Sequence, residues 1–439
     1  MLTLNKENLL TANVARNQNG ELTFAGVALS TLKEKFGTPL YLYDENRIRE
    51  RARAYMRAVK RTLGDGGQVL YASKAASFKR LYEIINEEGL GIDVVSMGEI
   101  YTAKRAGFPL SRAYFHSNNK TDEDIEYAIN MGVGTFVVDN VEELTAISHI
   151  AKKHQKAQNV LLRITPGIDP HTYAAVATGK VDSKFGSAIE TGQAEEITKT
   201  ALTLPYISLS GFHCHVGSQI FDSSIYIQAA EIMMRFVADI YKETGFLARE
   251  VDLGGGIGVR YVESQPEPDI EGVIAEVCTR LCELAEKYGI KLPKISFEPG
   301  RSIVADAGLT LYTVGTVKRI PGYKSYVSVD GGMTDNPRYA LYGSPYTILP
   351  VKENTGEEMT ASVVGRCCES GDIIQEGVTL PSDIKRGDLI ACLTTGAYHY
   401  SMASNYNKLT RPPVVMLNNG VATVAVRRET VEDLAALEI

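Results

Sequence analysis

Residues 68–95 read QVLYASKAASFKRLYEIINEEGLGIDVV. Two runs rich in β-branched and aromatic residues, Gln68–Ser73 and Gly91–Val95, flank a segment with helical patterning. Neither run alternates cleanly between apolar and polar residues, as expected for parallel strands covered on both faces. The unit recurs down the chain. Further strand-like runs fall at Ala113–His116, Thr135–Asp139, Val160–Thr165, Ile207–His215, Glu250–Leu253 and Lys294–Glu298. Eight strands alternating with helices over about 240 residues fit an α/β fold of the (β/α)8 TIM-barrel type. A doubly wound open sheet is the alternative, because strand count alone does not prove closure.

The segments between the strands carry helix signals. Asn140 precedes VEELTAISHIAKKH, with Glu143 three residues on in a capping-box arrangement. Thr121 opens TDEDIEYAIN, whose early acids suit a helix N-terminus. Ser223–Glu243 and Ile270–Tyr288 repeat apolar residues at three-to-four spacing and are soon followed by glycine. After Gly308 the pattern changes to strands, at Leu309–Arg319, Tyr326–Asp330, Thr360–Val364, Asp372–Ile374, Leu389–Thr394 and Pro413–Arg427. Asn418-Asn419-Gly420 reads as a hairpin turn within the last, and a short helix is expected at Val431–Leu437. The predicted organisation is therefore a barrel over 36–308 and an all-β domain over 309–439, which the first 35 residues join.

A net charge of −7 argues against nucleic acid as the main partner, since phosphate-backbone binding needs a basic face. It leaves room for a small anionic ligand held by a few arginines. The six cysteines form no CxxC pattern and read as reduced thiols of a cytoplasmic protein. MLTLNKENLL lacks the pattern of a signal peptide, and no run approaches about 20 apolar residues, so no membrane span is expected.

In a barrel of this kind chemistry gathers at the C-terminal ends of the strands. Lys74 follows the first strand, where an amine held in the barrel mouth is partly desolvated and usable as a nucleophile; a surface lysine opening a helix reads equally well. His213 and His215 end the sixth strand on one side of it. They suit a metal but lack a visible third ligand, so no metal is expected. They also suit a flat platform under a planar ligand, or a pair of satisfied polar residues. Gly254-Gly255-Gly256 after the seventh strand lets backbone N–H groups approach a phosphate, although the GxGxxG spacing fails. After the eighth, the turn Glu298-Pro299-Gly300-Arg301 lets a carboxylate and a guanidinium face the mouth, where the bland reading is a surface ion pair. Together an amine, a platform, a phosphate cradle and a Glu–Arg pair match the aldehyde, ring, phosphate and ring nitrogen of pyridoxal 5'-phosphate.

Many separated motifs then agree in order: YASKA (71–75), DVVSMGE (93–99), HSNNKT (116–121), FVVDN (136–140), GFHCHVGSQ (211–219), DLGGGIG (252–258), EPGRSIVADAG (298–308), MTDNPRYALYG (333–343), GRCCESGD (365–372) and GAYHYSMASNYN (396–407). On these, the chain resembles the group IV pyridoxal-phosphate-dependent decarboxylases of the alanine-racemase-like barrel, from about Thr38 to Asn407. The resemblance implies that Lys74 carries the cofactor covalently and His215 stacks on its ring. It implies that Ser218, Gly255, Gly256 and Tyr398 hold the phosphate, that Glu298 pairs with the ring nitrogen, and that Arg301 lies near the phosphate. Ser73 and Ala76 depart from the family's usual YAVKAN but leave Lys74 intact.

For substrate, the resemblance points to meso-2,6-diaminopimelate, converted to L-lysine and CO2 by loss of the D-centre carboxylate, the last step of lysine biosynthesis. It implies that Arg338 and Tyr342, with Arg301 and Tyr398, bind the distal carboxylate and that Glu369 takes the distal ammonium. Cys368 matches a cysteine implicated in proton handling; it and Glu369 would arrive from the other subunit of a homodimer. Tyr339 stands where proline is common. The alternative is decarboxylation of ornithine, arginine or carboxynorspermidine; relatives of the ornithine type lack the Arg-xxx-Tyr arrangement. A racemase would need a second catalytic base, a tyrosine on the β domain, that is not identifiable here. A non-enzymatic cofactor carrier would lack the β domain, and a regulator that had lost activity would be expected to lose Lys74.

Overall fold

The computed structural model describes residues 9–168, 183–353 and 356–439. It contains two compact units, one of Glu50–Gly258 with Pro268–Ser302 and one of Met1–Arg49, Val259–Glu267 and Ile303–Ile439.

The first unit is a barrel. Its strands are Gly67–Ala72, Gly91–Val94, Ala113–Phe115, Thr135–Val138, Gln158–Thr165, Ile207–His213, Glu250–Asp252 and Lys294–Phe297. Each pairs in parallel with the next, and the eighth returns to the first through Ile295↔Gly67. The sheet is closed, which settles barrel against open sheet. Leu70, Tyr114, Val137 and Leu161 form one buried cluster contributed by four of the strands. The sixth strand shifts register at Gly211, where a Cβ would fall 1.8 Å from the Glu250 carbonyl oxygen. Only glycine admits that approach.

The helices start where their caps direct. Thr121 and Asp124 form a reciprocal capping box. The Asn140 side chain accepts from the Glu143 N–H, but the Glu143 carboxylate does not return to Asn140. It accepts from Asp139 N–H at 3.0 Å and from Lys120 Nζ at 2.7 Å instead. The expected box is therefore half formed, because a buried ammonium competes for the acid. Ser223–Thr244 and Ile270–Tyr288 both end on left-handed glycines, Gly245 and Gly289.

The Lys120–Glu143 pair is almost wholly enclosed, with side chains 0% and 3% exposed. Burial outweighs the mutual attraction at both ends: it holds the Lys120 amine below and the Glu143 carboxyl above their ordinary values. Removing one partner strands the other in a medium that cannot solvate it. Lys120→Met is expected to lower stability by about 3–5 kcal/mol, read as a shifted urea midpoint at unchanged slope. An unchanged midpoint would show that the pair contributes nothing.

The second unit is mostly sheet. Gly308–Arg319 pairs antiparallel with Ser325–Val329, Leu389–Leu393 and Leu40–Asp44. Leu40–Asp44 lies parallel to Val414–Asn418, which turns through Asn419-Gly420 into Val421–Val426. Both turn residues have positive φ, as the tight hairpin requires. Ser325–Val329 continues through Glu358–Val364 to Ile373–Pro381. The last of these runs well past the expected Asp372–Ile374. Left-handed Gly377 sits inside this strand.

Val14–Arg16, Leu22–Phe24 and Val27–Ala28 make a small antiparallel sheet of their own. Leu22, Phe24 and Leu29 share a core cluster with Leu40, Leu309 and Leu417. Because Leu40–Asp44 pairs in this unit, the chain first enters the barrel after residue 49 rather than 35, and it finally leaves after 302 rather than 308. All six cysteines are free. No helix among the described residues is long and apolar enough to cross a membrane.

Candidate active site

The barrel strands deliver a set of ionisable side chains to their C-terminal ends. At the centre is Glu298, 7% exposed, just beyond the eighth strand. His116 Nε2, after the third strand, lies 2.7 Å from Oε1, and His213 Nε2, closing the sixth, lies 3.0 Å from Oε2. The two imidazoles pack edge to face with centroids 4.9 Å apart. Burial opposes a charge on Glu298, but the two imidazoles together prevail and hold its carboxyl well below the usual range. Asp252 goes the other way. Its one engaged oxygen accepts from Gly254 N–H at 2.8 Å, and burial followed by the Glu298 charge pushes it well above its ordinary value. Of the two acids, Glu298 is therefore the anion.

In sequence, His213 and His215 read as lying on one side of the sixth strand, with a metal pair, a flat platform and two satisfied polar residues left open. The two do not pair, because the strand ends at His213. His213 turns to Glu298, and the partner that joins it there is His116. These three side chains have ligand atoms within 4.8 Å of one another, as a metal site would. However, two ligands on one tetrahedral zinc stand roughly 3.3 Å apart, whereas the contacts here are 2.7 and 3.0 Å. That spacing suits shared protons. His215 lies in the following loop against Gly254, where a Cβ would meet its Nδ1 at 2.8 Å. Burial, then the Lys74 ammonium, hold His215 well below its ordinary value. It is a neutral, flat ring.

Lys74 sits in the short turn Ser73–Ala75 after the first strand. It is exposed, in the turn that follows the strand, rather than partly buried as expected. Its charge nevertheless reaches the site. Burial raises Asp93 to about 6 and Glu99 to about 7, and in both cases the Lys74 ammonium pulls the other way. The amine thus stands beside two acids that lose their protons at or just below neutrality.

The loops after strands six and seven build a close backbone cradle. A Cβ on Gly255 would come 2.1 Å from the Glu298 carbonyl oxygen, and one on Gly256 2.2 Å from that of Gly217. Ile220 bridges to Ile257, and Gly258 N–H donates to Ile220 O at 2.9 Å, tying the two loops together. Ser218 Oγ accepts from Arg301 Nη2 at 3.1 Å, and Arg301 is itself buried. A cradle of this kind with a buried guanidinium fits a phosphate. A flat neutral imidazole fits a ring, and an anionic Glu298 fits a protonated ring nitrogen.

In the second unit Arg338, Tyr342 and Tyr398 come together. Arg338 and Tyr342 share one face of the short helix Arg338–Tyr342. The Arg338 guanidinium lies over the Tyr342 ring at 4.8 Å and the Tyr398 ring at 5.0 Å. It is 8% exposed, its Nε has no hydrogen-bond partner, and among the described residues no carboxylate pairs with it. Tyr339, on the same helix, sends its hydroxyl to Glu376 at 3.1 Å. Cys368 and Glu369 are exposed in the loop before Ile373–Pro381. There Cys368 N–H donates to Asn407 Oδ1, and the Glu369 carboxylate accepts from Gly371 N–H.

The sequence reading missed His116, Asp93 and Glu99, although all three lie inside motifs that were singled out. Treating every strand end alike would have flagged His116 and Asp93, which close the third and second strands as Lys74 closes the first.

Residues 45–305 match the model of the pyridoxal-dependent decarboxylase family's pyridoxal-binding domain. The chain is 44% identical to the diaminopimelate decarboxylase of Bacillus subtilis (strain 168), an alignment covering 97% of this chain and 96% of that one. It is also 44% identical to the Staphylococcus aureus (strain COL) diaminopimelate decarboxylase, over 96% and 98%. Among solved structures it resembles diaminopimelate decarboxylase from M. jannaschii in complex with L-lysine, with TM-score 0.90, 34% identity and 98% coverage of both chains.

Proposed function

This chain belongs to the pyridoxal-dependent decarboxylase family, and from that premise we propose that it removes CO2 from the D-centre of meso-2,6-diaminopimelate and leaves L-lysine, closing lysine biosynthesis. The observation that carries the choice of substrate is Arg338: a buried guanidinium flanked by two tyrosine rings, with an unpartnered Nε. Such a group suits a second carboxylate at the far end of the substrate. Ornithine and arginine offer none.

Pyridoxal 5'-phosphate, when bound, supplies the electron sink that accepts the pair left by departing CO2. The chain's own residues do the rest. Lys74 would hold the cofactor's aldehyde carbon through its amine. Glu298 would hold a proton at the ring nitrogen, and His215 would offer its flat imidazole to the ring. Gly255, Gly256, Ser218 and Arg301, with Tyr398, hold the phosphate. Arg338 and Tyr342, aided by Arg301 and Tyr398, grip the distal carboxylate. The partner subunit's Cys368 delivers the proton to Cα, and the partner subunit's Glu369 takes the distal ammonium, which makes the working enzyme a homodimer of the cytoplasm.

CO2 release from meso-diaminopimelate, ornithine, arginine and carboxynorspermidine, measured side by side, tests the assignment; preferred turnover of any of the last three would overturn it. Arg338→Ala should raise KM for meso-diaminopimelate by about 30-fold or more, as expected when one member of a buried charge pair is lost. Cofactor affinity should barely change, and an unchanged KM would remove Arg338 from the substrate site.

A further inference from the structure

Resting on the reading above, we propose that His116 and His213 are positioning residues that keep Glu298 a bare carboxylate opposite the cofactor's ring nitrogen, so that the one proton of that pair resides on the cofactor. The argument starts from burial. A carboxyl enclosed in a barrel takes up a proton unless neighbours stabilise its charge. Each Glu298 oxygen has one imidazole against it, at 2.7 and 3.0 Å, contributed by two different strands. The rings also brace each other edge to face. A carboxylate oxygen accepts two hydrogen bonds; Oε2 is engaged by His213, and Oε1, close to His116 Nε2 but not hydrogen-bonded to it, leaves capacity for a further donor. A protonated ring nitrogen is such a donor.

The remaining charged neighbours do not do this work. Asp93 and Asp252 are acids whose negative charge would disfavour an anionic Glu298. Lys74 and Arg163 reach the cluster electrostatically, and His215 is neutral in the next loop. Only His116 and His213 approach the Glu298 carboxylate oxygens directly among the described residues. Without them burial prevails, Glu298 becomes neutral, and the ring nitrogen loses its counter-ion.

Proton location at one atom predicts a difference between two cofactors. One is pyridoxal phosphate; the other is its carbocyclic analogue, in which CH replaces the ring nitrogen. Wild-type protein, resolved and then reconstituted with each, should bind the natural cofactor more tightly. In His213→Phe and His116→Phe that preference should shrink on the order of tenfold per variant, the scale of one hydrogen bond to a charged group. His213→Asn, which keeps an N–H donor, should recover part of it and guards against a variant that fails to fold. Equal loss of affinity for both cofactors would mean that the histidines only shape the pocket, and would overturn the proposal. So would a wild-type protein indifferent to the ring nitrogen. Wild-type protein that binds neither cofactor would overturn the functional reading itself, a separate and recognisable result.

Discussion

Lys74→Ala is expected to lower decarboxylation by at least ~10⁴-fold, the upper scale for loss of a catalytic side chain, and to abolish the visible absorbance of the resting holoenzyme. Lys74 stands in the turn directly after the first barrel strand and acts electrostatically on Asp93, Glu99, His213 and His215. Among the described residues, the other lysine near a barrel strand's C-terminal end is already committed. Lys120 is also at a strand end, but its ammonium is bound to Glu143 and to the carbonyls of Val137 and Ser117. Because Lys74 is exposed, its truncation opens no cavity, and thermal stability should hold. That separates a chemical loss from an unfolded protein. Survival of both colour and turnover would exclude Lys74 as the tether.

Glu298→Gln is the second large effect, with kcat expected to fall by about 10²–10³, the scale for removing one preorganised electrostatic contact. The substitution keeps shape and volume and deletes the charge. The cofactor should remain bound through contacts that do not involve residue 298, with Ser218 and Arg301 at the phosphate. The loss should therefore fall on turnover and leave occupancy nearly intact. Retention of kcat within a few-fold would mean that the ring nitrogen needs no counter-ion. In the wild type, Glu298 is not the acid that limits activity on the low-pH side of neutrality. Burial works against its charge, but His116 and His213 hold its carboxyl far below that range. As pH falls, Glu99 at about 7 and Asp93 at about 6 take up protons first.

The barrel was legible because its strands are short, apolar on both faces and separated by helices with readable caps. Closure was not legible, since it depends on Ile295 meeting Gly67 across a long stretch of chain. The unit boundary was misplaced for a similar reason. Leu40–Asp44 is a buried apolar strand that suits either unit, and only its pairing with Leu309 and Val415 assigns it. At the site, sequence position singled out Lys74, Glu298 and Arg301 as candidates, each next to a strand end. His116 also follows a strand end, but its contact with Glu298 joins strands three and eight and is not written in sequence position. Arg338, Tyr342 and Tyr398 were named only through the family resemblance, because the rings that meet over the guanidinium come from a helix and a distant loop.

The chain crosses between the two units four times, at 49/50, 258/259, 267/268 and 302/303. The nine-residue excursion Val259–Glu267 begins directly after the glycine cradle. Neither unit can therefore be excised or exchanged with a homologue by one cut. A chimaera spliced only near residue 302 would carry its host's excursion and N-terminal strand into a foreign sheet, so modular recombination in this architecture has to move three segments together.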